Sequence, residues 1–261
     1  MLFNYETVVM FLLAFLRISG LFFLMPLFSG NTINIKIRIF FGAAVTFVVF
    51  PIIPKEIASL DYNNPLIFFA LIIRELGIGV IIGYLVTLIF SVVQTASEVY
   101  SNQMGLNMMN VFDPMAQIQV PILGQFNNMF FMALFCVSGM HAKFIEVIVK
   151  TFYMYPIGHV GFRMENIVRA IIDGFQYSFV TAMQLALPII GLLLLIDIIL
   201  GIMSRIAPQM NVFFVGMPLK IMAGLALLIA LVPYMVTFFT VVIEESYTRT
   251  LKLIANAFFV R

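Results

Sequence analysis

The chain has 261 residues, of which 63% are hydrophobic and only 10% charged, with a mean hydropathy of +1.11. A soluble domain carries roughly a quarter charged residues, so a water-exposed globule is excluded. The net charge of +2, with 14 Lys and Arg scattered along the sequence, offers no basic surface for nucleic acid. The lone Cys136 lies in an apolar run, which rules out a disulfide or thiolate-metal framework and leaves the compartment unread.

Six apolar runs follow one another: Val8–Phe28, Ile39–Ile53, Leu66–Val93, Ile122–His141, Phe175–Leu200 and Val212–Ile243. About 20 apolar residues cross the hydrocarbon core as a helix, so the expected fold class is an all-α integral membrane protein of about six hydrophobic helical segments. The first run is not expected to be a cleaved signal, because residues 1–7 contain Glu6 and no positive charge. The second run is short and ends at Pro51 and Pro54, whereas the third and sixth are too long for an upright span and must tilt, break or leave the membrane. Prolines 26, 51, 188, 218 and 233 in or beside the runs favour kinked hairpins.

Charge sets an orientation. Lys55, Lys143, Lys150, Arg163, Arg169, Arg249, Lys252 and Arg261 fall on one side, and Lys36, Arg38 and Arg205 on the other. The positive-inside rule places both termini and the polar connecting segment at about 143–174 in the cytoplasm. No second domain is expected; the whole chain, 1–261, reads as one membrane domain.

Within the third run, Glu75, Gly79, Gly83, Thr87, Ser91 and Thr95 recur at every fourth position. Small residues at that spacing let two helix backbones approach closely, either inside the chain or at a subunit interface. After this run comes a loop from Gln103 to Met115 with four methionines, no Lys or Arg, and Asp113 as its one carboxylate. Thioether side chains are unbranched and adaptable, suited to a surface that yields to chains of varied sequence or to space-filling between helices.

The fifth and sixth runs form a hairpin about Ala207-Pro208-Gln209-Met210-Asn211. Asp197 and Lys220 stand roughly 17 Å from that turn along each helix. An unpaired ionisable group at that depth costs about 3 kcal/mol or more, so the two are expected to pair. Gly201 shares the face of Asp197, and Gly216 and Gly224 flank Lys220. Arg17, Arg74 and Glu75 are the other charges inside apolar runs.

Catalytic patterns are missing. His141 and His159 have no metal-spaced companion, and there is no HExxH, phosphate-binding loop or Cys-rich zinc pattern, so neither a metal, a cofactor nor an enzyme activity is expected. Residues alone leave two readings. One is a structural channel part closed by the methionine loop. The other is a small secondary transporter using Arg17, Arg74, Glu75, Asp197 and Lys220 as its polar path.

Gln103-Met104-Gly105 followed by Phe112-Asp113-Pro114 resembles the signature of the FliR/SpaR/YscT family of the flagellar and virulence type III export apparatus. So does Ala207-Pro208-Gln209-Met210-Asn211-Val212-Phe213, continued by Gly216-Met217-Pro218-Leu219-Lys220, and Pro156-Ile157-Gly158 fits a family turn. The order of runs and motifs agrees over essentially the whole chain. The resemblance implies a part of a helical hetero-oligomeric gate built with FliP-like and FliQ-like subunits, beside an FlhB-like export component. It implies the bacterial inner membrane and the flagellar basal body as the location, and unfolded export substrates as the cargo. It also implies a pore plug at about 104–120, carried by Met104, Gly105, Leu106, Met108, Met109, Phe112, Asp113, Pro114 and Met115. The helix-packing or interface positions are Glu75, Gly79, Gly83, Thr87, Ser91, Asp197, Gly201, Gly216 and Lys220. The flagellar branch is preferred over the virulence branch.

Overall fold

A computed structural model describes residues 5–25, 34–54, 64–106, 122–158, 164–209 and 211–258. Of the expected plug residues, Met108, Met109, Phe112, Asp113, Pro114 and Met115 lie outside the described residues. Among the described residues there are seven α-helices and no strand: α1 (Tyr5–Leu24), α2 (Ile35–Val49), α3 (Pro65–Met104), α4 (Ile122–Val137), α5 (Met140–Met154), α6 (Met164–Ile206) and α7 (Val212–Phe258). The all-α class is as expected.

Local chemistry sets the ends. Asn34 caps α2 by accepting from the Lys36 amide at 3.0 Å, and Asn64 does the same for α3 at the Leu66 amide, 3.1 Å, with Pro65 in the first helical position. Pro51 and Pro54 prevent α2 from continuing. At the end of α3, Gly105 takes φ +82°, and between α4 and α5, Gly139 takes φ +68°, left-handed conformations that a residue with a Cβ adopts only at a cost.

Lengths depart from the six-run expectation. Four helical segments are long and apolar enough to cross a membrane (Tyr5–Leu24, Pro65–Met104, Met164–Ile206 and Phe214–Ala255), with a fifth if α4 and α5 count as one broken span. With 15 residues, α2 is about 22 Å long and falls short of a hydrocarbon core of about 30 Å. The 40, 43 and 47 residues of α3, α6 and α7 make helices of about 60, 65 and 70 Å, twice that thickness. The helices continue through Pro188, Pro218 and Pro233 rather than breaking. Where no water satisfies a freed carbonyl, a helix that bends around its proline keeps more hydrogen bonds than one that ends there. The 143–174 segment is largely helical, since α5 runs to Met154 and α6 starts at Met164.

The chain divides into two compact units, one made of residues 1–89, 139–175 and 243–261, the other of 90–138 and 176–242. In the first, α1 packs on α2 through the edge-on ring pairs Phe11–Phe50 and Phe22–Phe41, with centroids 5.3 and 5.2 Å apart. Leu13, Ala14, Ile18, Ile78, Val147 and Phe152 are buried in its core. In the second, Phe131 meets both Phe90 and Phe239 edge-on at 5.1 Å, within a core that includes Val93, Ala96 and Leu193.

Candidate functional site: two charge clusters and the root of the methionine loop

The part of the four-residue stripe of α3 from Glu75 to Thr87 faces α1. A Cβ on Gly79 would run into the carbonyl of Arg17, one on Gly83 would come within 2.8 Å of the Leu21 carbonyl, and one on Gly20 would come within 2.8 Å of the Leu76 carbonyl. Thr87 Oγ1 donates toward the Leu24 carbonyl at 2.8 Å and toward Gly83 at 2.9 Å. Glycines on both helices thus allow backbone-to-backbone contact within one chain. Ser91 is half-buried and belongs to the other unit.

Glu75 heads the stripe and forms a sealed cluster. Arg17 Nε donates to Glu75 Oε2 at 2.7 Å, and Nη2 of the same guanidinium lies 2.5 Å from that oxygen. Both side chains have 0% exposure. The other oxygen, Oε1, receives Arg74 Nη2 at 3.0 Å. Arg17 also reaches α5: Nη1 donates to the carbonyls of Thr151 at 3.3 Å and Tyr155 at 2.9 Å, and the guanidinium lies 4.3 Å from the Phe152 ring centre. A cation satisfying the last carbonyls of a helix also complements its negative end. The cluster therefore ties α1, α3 and α5 together, with both charges occupied by each other.

In the second unit the structure brings Asp197 and Lys220 together, with Nζ 2.5 Å from Oδ1. The second carboxylate oxygen, Oδ2, accepts from Gln103 Nε2 at 3.1 Å. Next to Gln103, Met104 is fully buried against Gly224, where its Sδ and Cγ lie 2.9 Å from the place a Cβ would occupy. Gly105 lies against Met217, whose Cε would be 3.8 Å from a Cβ there. Leu106 is half-buried. Gly216 is buried against Leu200, whereas Gly201 is exposed and has no neighbour where a Cβ would stand.

Sequence reasoning missed three features. Gln103 belongs to a sequence motif, but nothing in that motif marks Asp197 as its partner. Gly20, which opposes Gly79, was detectable only as a small residue on the neighbouring helix. A buried amide network completes the list: Asn127 Nδ2 donates to Ser97 Oγ at 3.1 Å and to the Tyr100 hydroxyl, which itself lies 3.0 Å from Ser97 Oγ. Its signal is the cluster Gln125, Asn127 and Asn128 at the start of an apolar run, because an amide buried there needs a partner. No group of His, Cys, Asp or Glu that could hold a metal ion occurs among the described residues.

Comparison with known proteins agrees with this framework. The chain is 29% identical to the flagellar biosynthetic protein FliR of Escherichia coli K12 over 243 residues, covering 92% of this chain and 89% of that one. It is 30% identical to the FliR of Bacillus subtilis 168 over 248 residues, or 94% and 93% of the two chains. It is 27% identical to the FliR of Aquifex aeolicus over 228 residues, or 87% of each. The profile of the bacterial export proteins, family 1, matches residues 8–246, nearly the full length, and the chain belongs to that family.

Proposed function

We propose that this chain is a non-catalytic structural and gating subunit of the type III protein export channel of the bacterial flagellum. It would sit in the inner membrane at the basal body and assemble with FliP-like and FliQ-like subunits beside an FlhB-like component. Its cargo would be unfolded export substrates, and the methionine loop would plug the portal through which they enter. The named relatives are flagellar biosynthetic proteins, which favours the flagellar branch. The observation that carries the reading is spatial: the Gln103-Met104-Gly105 motif meets the α6–α7 hairpin that bears the other motif, through Asp197, Met217 and Gly224. The root of the loop is thereby fixed to the helices that would surround it. The transporter reading loses the Arg17 and Glu75 part of its polar path, since these two are sealed by each other and by backbone carbonyls.

The test is deletion of residues 106–115 in cells carrying the whole apparatus. Ion leakage across the membrane with assembly preserved is the expected result, and unchanged conductance removes the plug role. Native mass spectrometry of the tagged chain in mild detergent checks the assembly. Several copies of two other small helical membrane proteins should come with it, and a stable, partnerless monomer or homodimer would return the transporter to first place.

A further inference from the structure

Met217, Lys220 and Gly224 stand at spacings of three and four residues, on one face of α7. Each of these positions engages the last residues of α3. Gly105 lies against Met217, Met104 fills the notch at Gly224, and Gln103 reaches Lys220 through the shared carboxylate of Asp197. We propose that Gln103 and Gly224 are positioning residues of a releasable clasp between the end of α3 and the α6–α7 hairpin, and that export requires this clasp to open. The proposal rests on the export reading.

The chemistry of the contacts argues for release. The Asp197 and Lys220 side chains are 38% and 18% exposed, so the pair is not sealed within the chain, in contrast to the 0% and 0% of Arg17 and Glu75. Gln103 adds a single hydrogen bond from a neutral donor, weaker than one donated by a cation. Met104 is held by shape alone: an unbranched thioether lies in a notch that exists only because residue 224 has no side chain. A permanent joint in the same chain is built from buried charges and backbone carbonyls. This one is built from groups that let go.

The experiment uses the full chain in its native membrane with its partners, in a Cys136→Ser background, because that cysteine is exposed. In the double variant Met104→Cys/Gly224→Cys the smaller side chain at 104 vacates the notch for the one added at 224. Mild oxidant should crosslink the pair and lower its export at least tenfold from its own level before oxidation, while moving neither single variant from its own unoxidised level; a reductant should restore export. Undiminished export by the crosslinked chain overturns the proposal, and so does failure of the two thiols to crosslink. A second variant, Gln103→Leu, removes the donor without touching α7 and should raise resting ion leakage severalfold with assembly unchanged; no rise counts against the clasp. The two readings fail separately. Leakage on deleting 106–115 with free export by the crosslinked chain would leave the plug and remove the clasp. Redox-blocked export with no leakage from the deletion would do the reverse.

Discussion

Arg17 and Glu75 form the most consequential joint of the first unit, and its two halves should not be equivalent. Removing one partner of a buried ion pair costs about 3–5 kcal/mol, because the other charge stays buried without compensation. In Glu75→Gln, Arg17 keeps the Thr151 and Tyr155 carbonyls and the Phe152 ring, so the loss belongs at the lower end, about 3 kcal/mol. In Arg17→Met, Glu75 keeps Arg74, but the α5 carbonyls lose their donor as well. Each buried acceptor left unsatisfied adds about 1–3 kcal/mol, which carries this variant to about 5 kcal/mol or beyond. The double variant Arg17→Met/Glu75→Gln leaves no orphaned anion and should cost clearly less than the sum of the singles.

Thermal unfolding of the purified chain in detergent measures all three. With roughly 2–4 °C per kcal/mol in chains of this size, Glu75→Gln should lower Tm by about 6–12 °C and Arg17→Met by more. Strictly additive losses would refute the pairing as an energetic unit. Equal losses would refute the role given to the α5 carbonyls. A single variant within about 1 kcal/mol of the parent would refute the claim that the pair is sealed, since exposed pairs are worth no more than that.

Gly79→Ala should destabilise by about 1–3 kcal/mol, because its methyl group meets the Arg17 carbonyl. Gly77→Ala, with nothing within 4 Å of the new Cβ, should be neutral or stabilising by up to about 1 kcal/mol; the same unfolding assay distinguishes the two. Asn127→Ala strips the donor from the Ser97 and Tyr100 hydroxyls and should cost about 1–3 kcal/mol, and Tyr100→Phe less, since Asn127 keeps Ser97. Single cysteines at 143 and 150 should react with a membrane-impermeant thiol reagent only in inverted vesicles, and one at 36 only in intact spheroplasts, if the charge asymmetry sets the orientation.

Composition made the all-α membrane class legible, because 63% hydrophobic residues leave few other solutions. Periodicity marks the stripe from Glu75 to Thr95, of which Glu75 to Thr87 pack on α1, and the mirror placement of Asp197 and Lys220 about one turn announces a pair that the structure brings to 2.5 Å. Less legible were features set by a distant chain segment. The partner of Gln103 lies 94 residues away and that of Arg17 lies 58 away, and nothing local in either side chain specifies which helix it meets. Helix ends were misjudged where apolar runs stop before the helix does. In α3, residues 94–104 include Gln94, Glu98, Asn102 and Gln103, polar enough to resemble a connection, yet helical to Met104. Good helix formers continue a helix in water or against protein as readily as apolar residues do in lipid.

The same mismatch between run and helix bears on what must surround the chain. On α6, large apolar side chains are exposed from Val168 to Ile206, and on α7 from Phe214 to Val241. Only 28% of the most apolar window in each is buried within the chain, against 61% for α3. Within the second unit the exposed apolar positions of α6 run from Phe179 to Ile206, about 40 Å along the helix, and at a usual tilt of about 20° they project about 38 Å onto the membrane normal, beyond a hydrocarbon core of about 30 Å. Lipid can cover the middle of that row but not both ends. Left to water, the remainder would add large apolar side chains to the surface. Neighbouring helices of similar length are the natural cover to test for, since a long apolar stripe is matched along its length by another. The Phe179→Asp and Ile206→Asp variants probe the two ends of the row. If lipid were the only cover, at most one would be tolerated poorly, whereas a protein cover makes both abolish co-purification of the partner subunits.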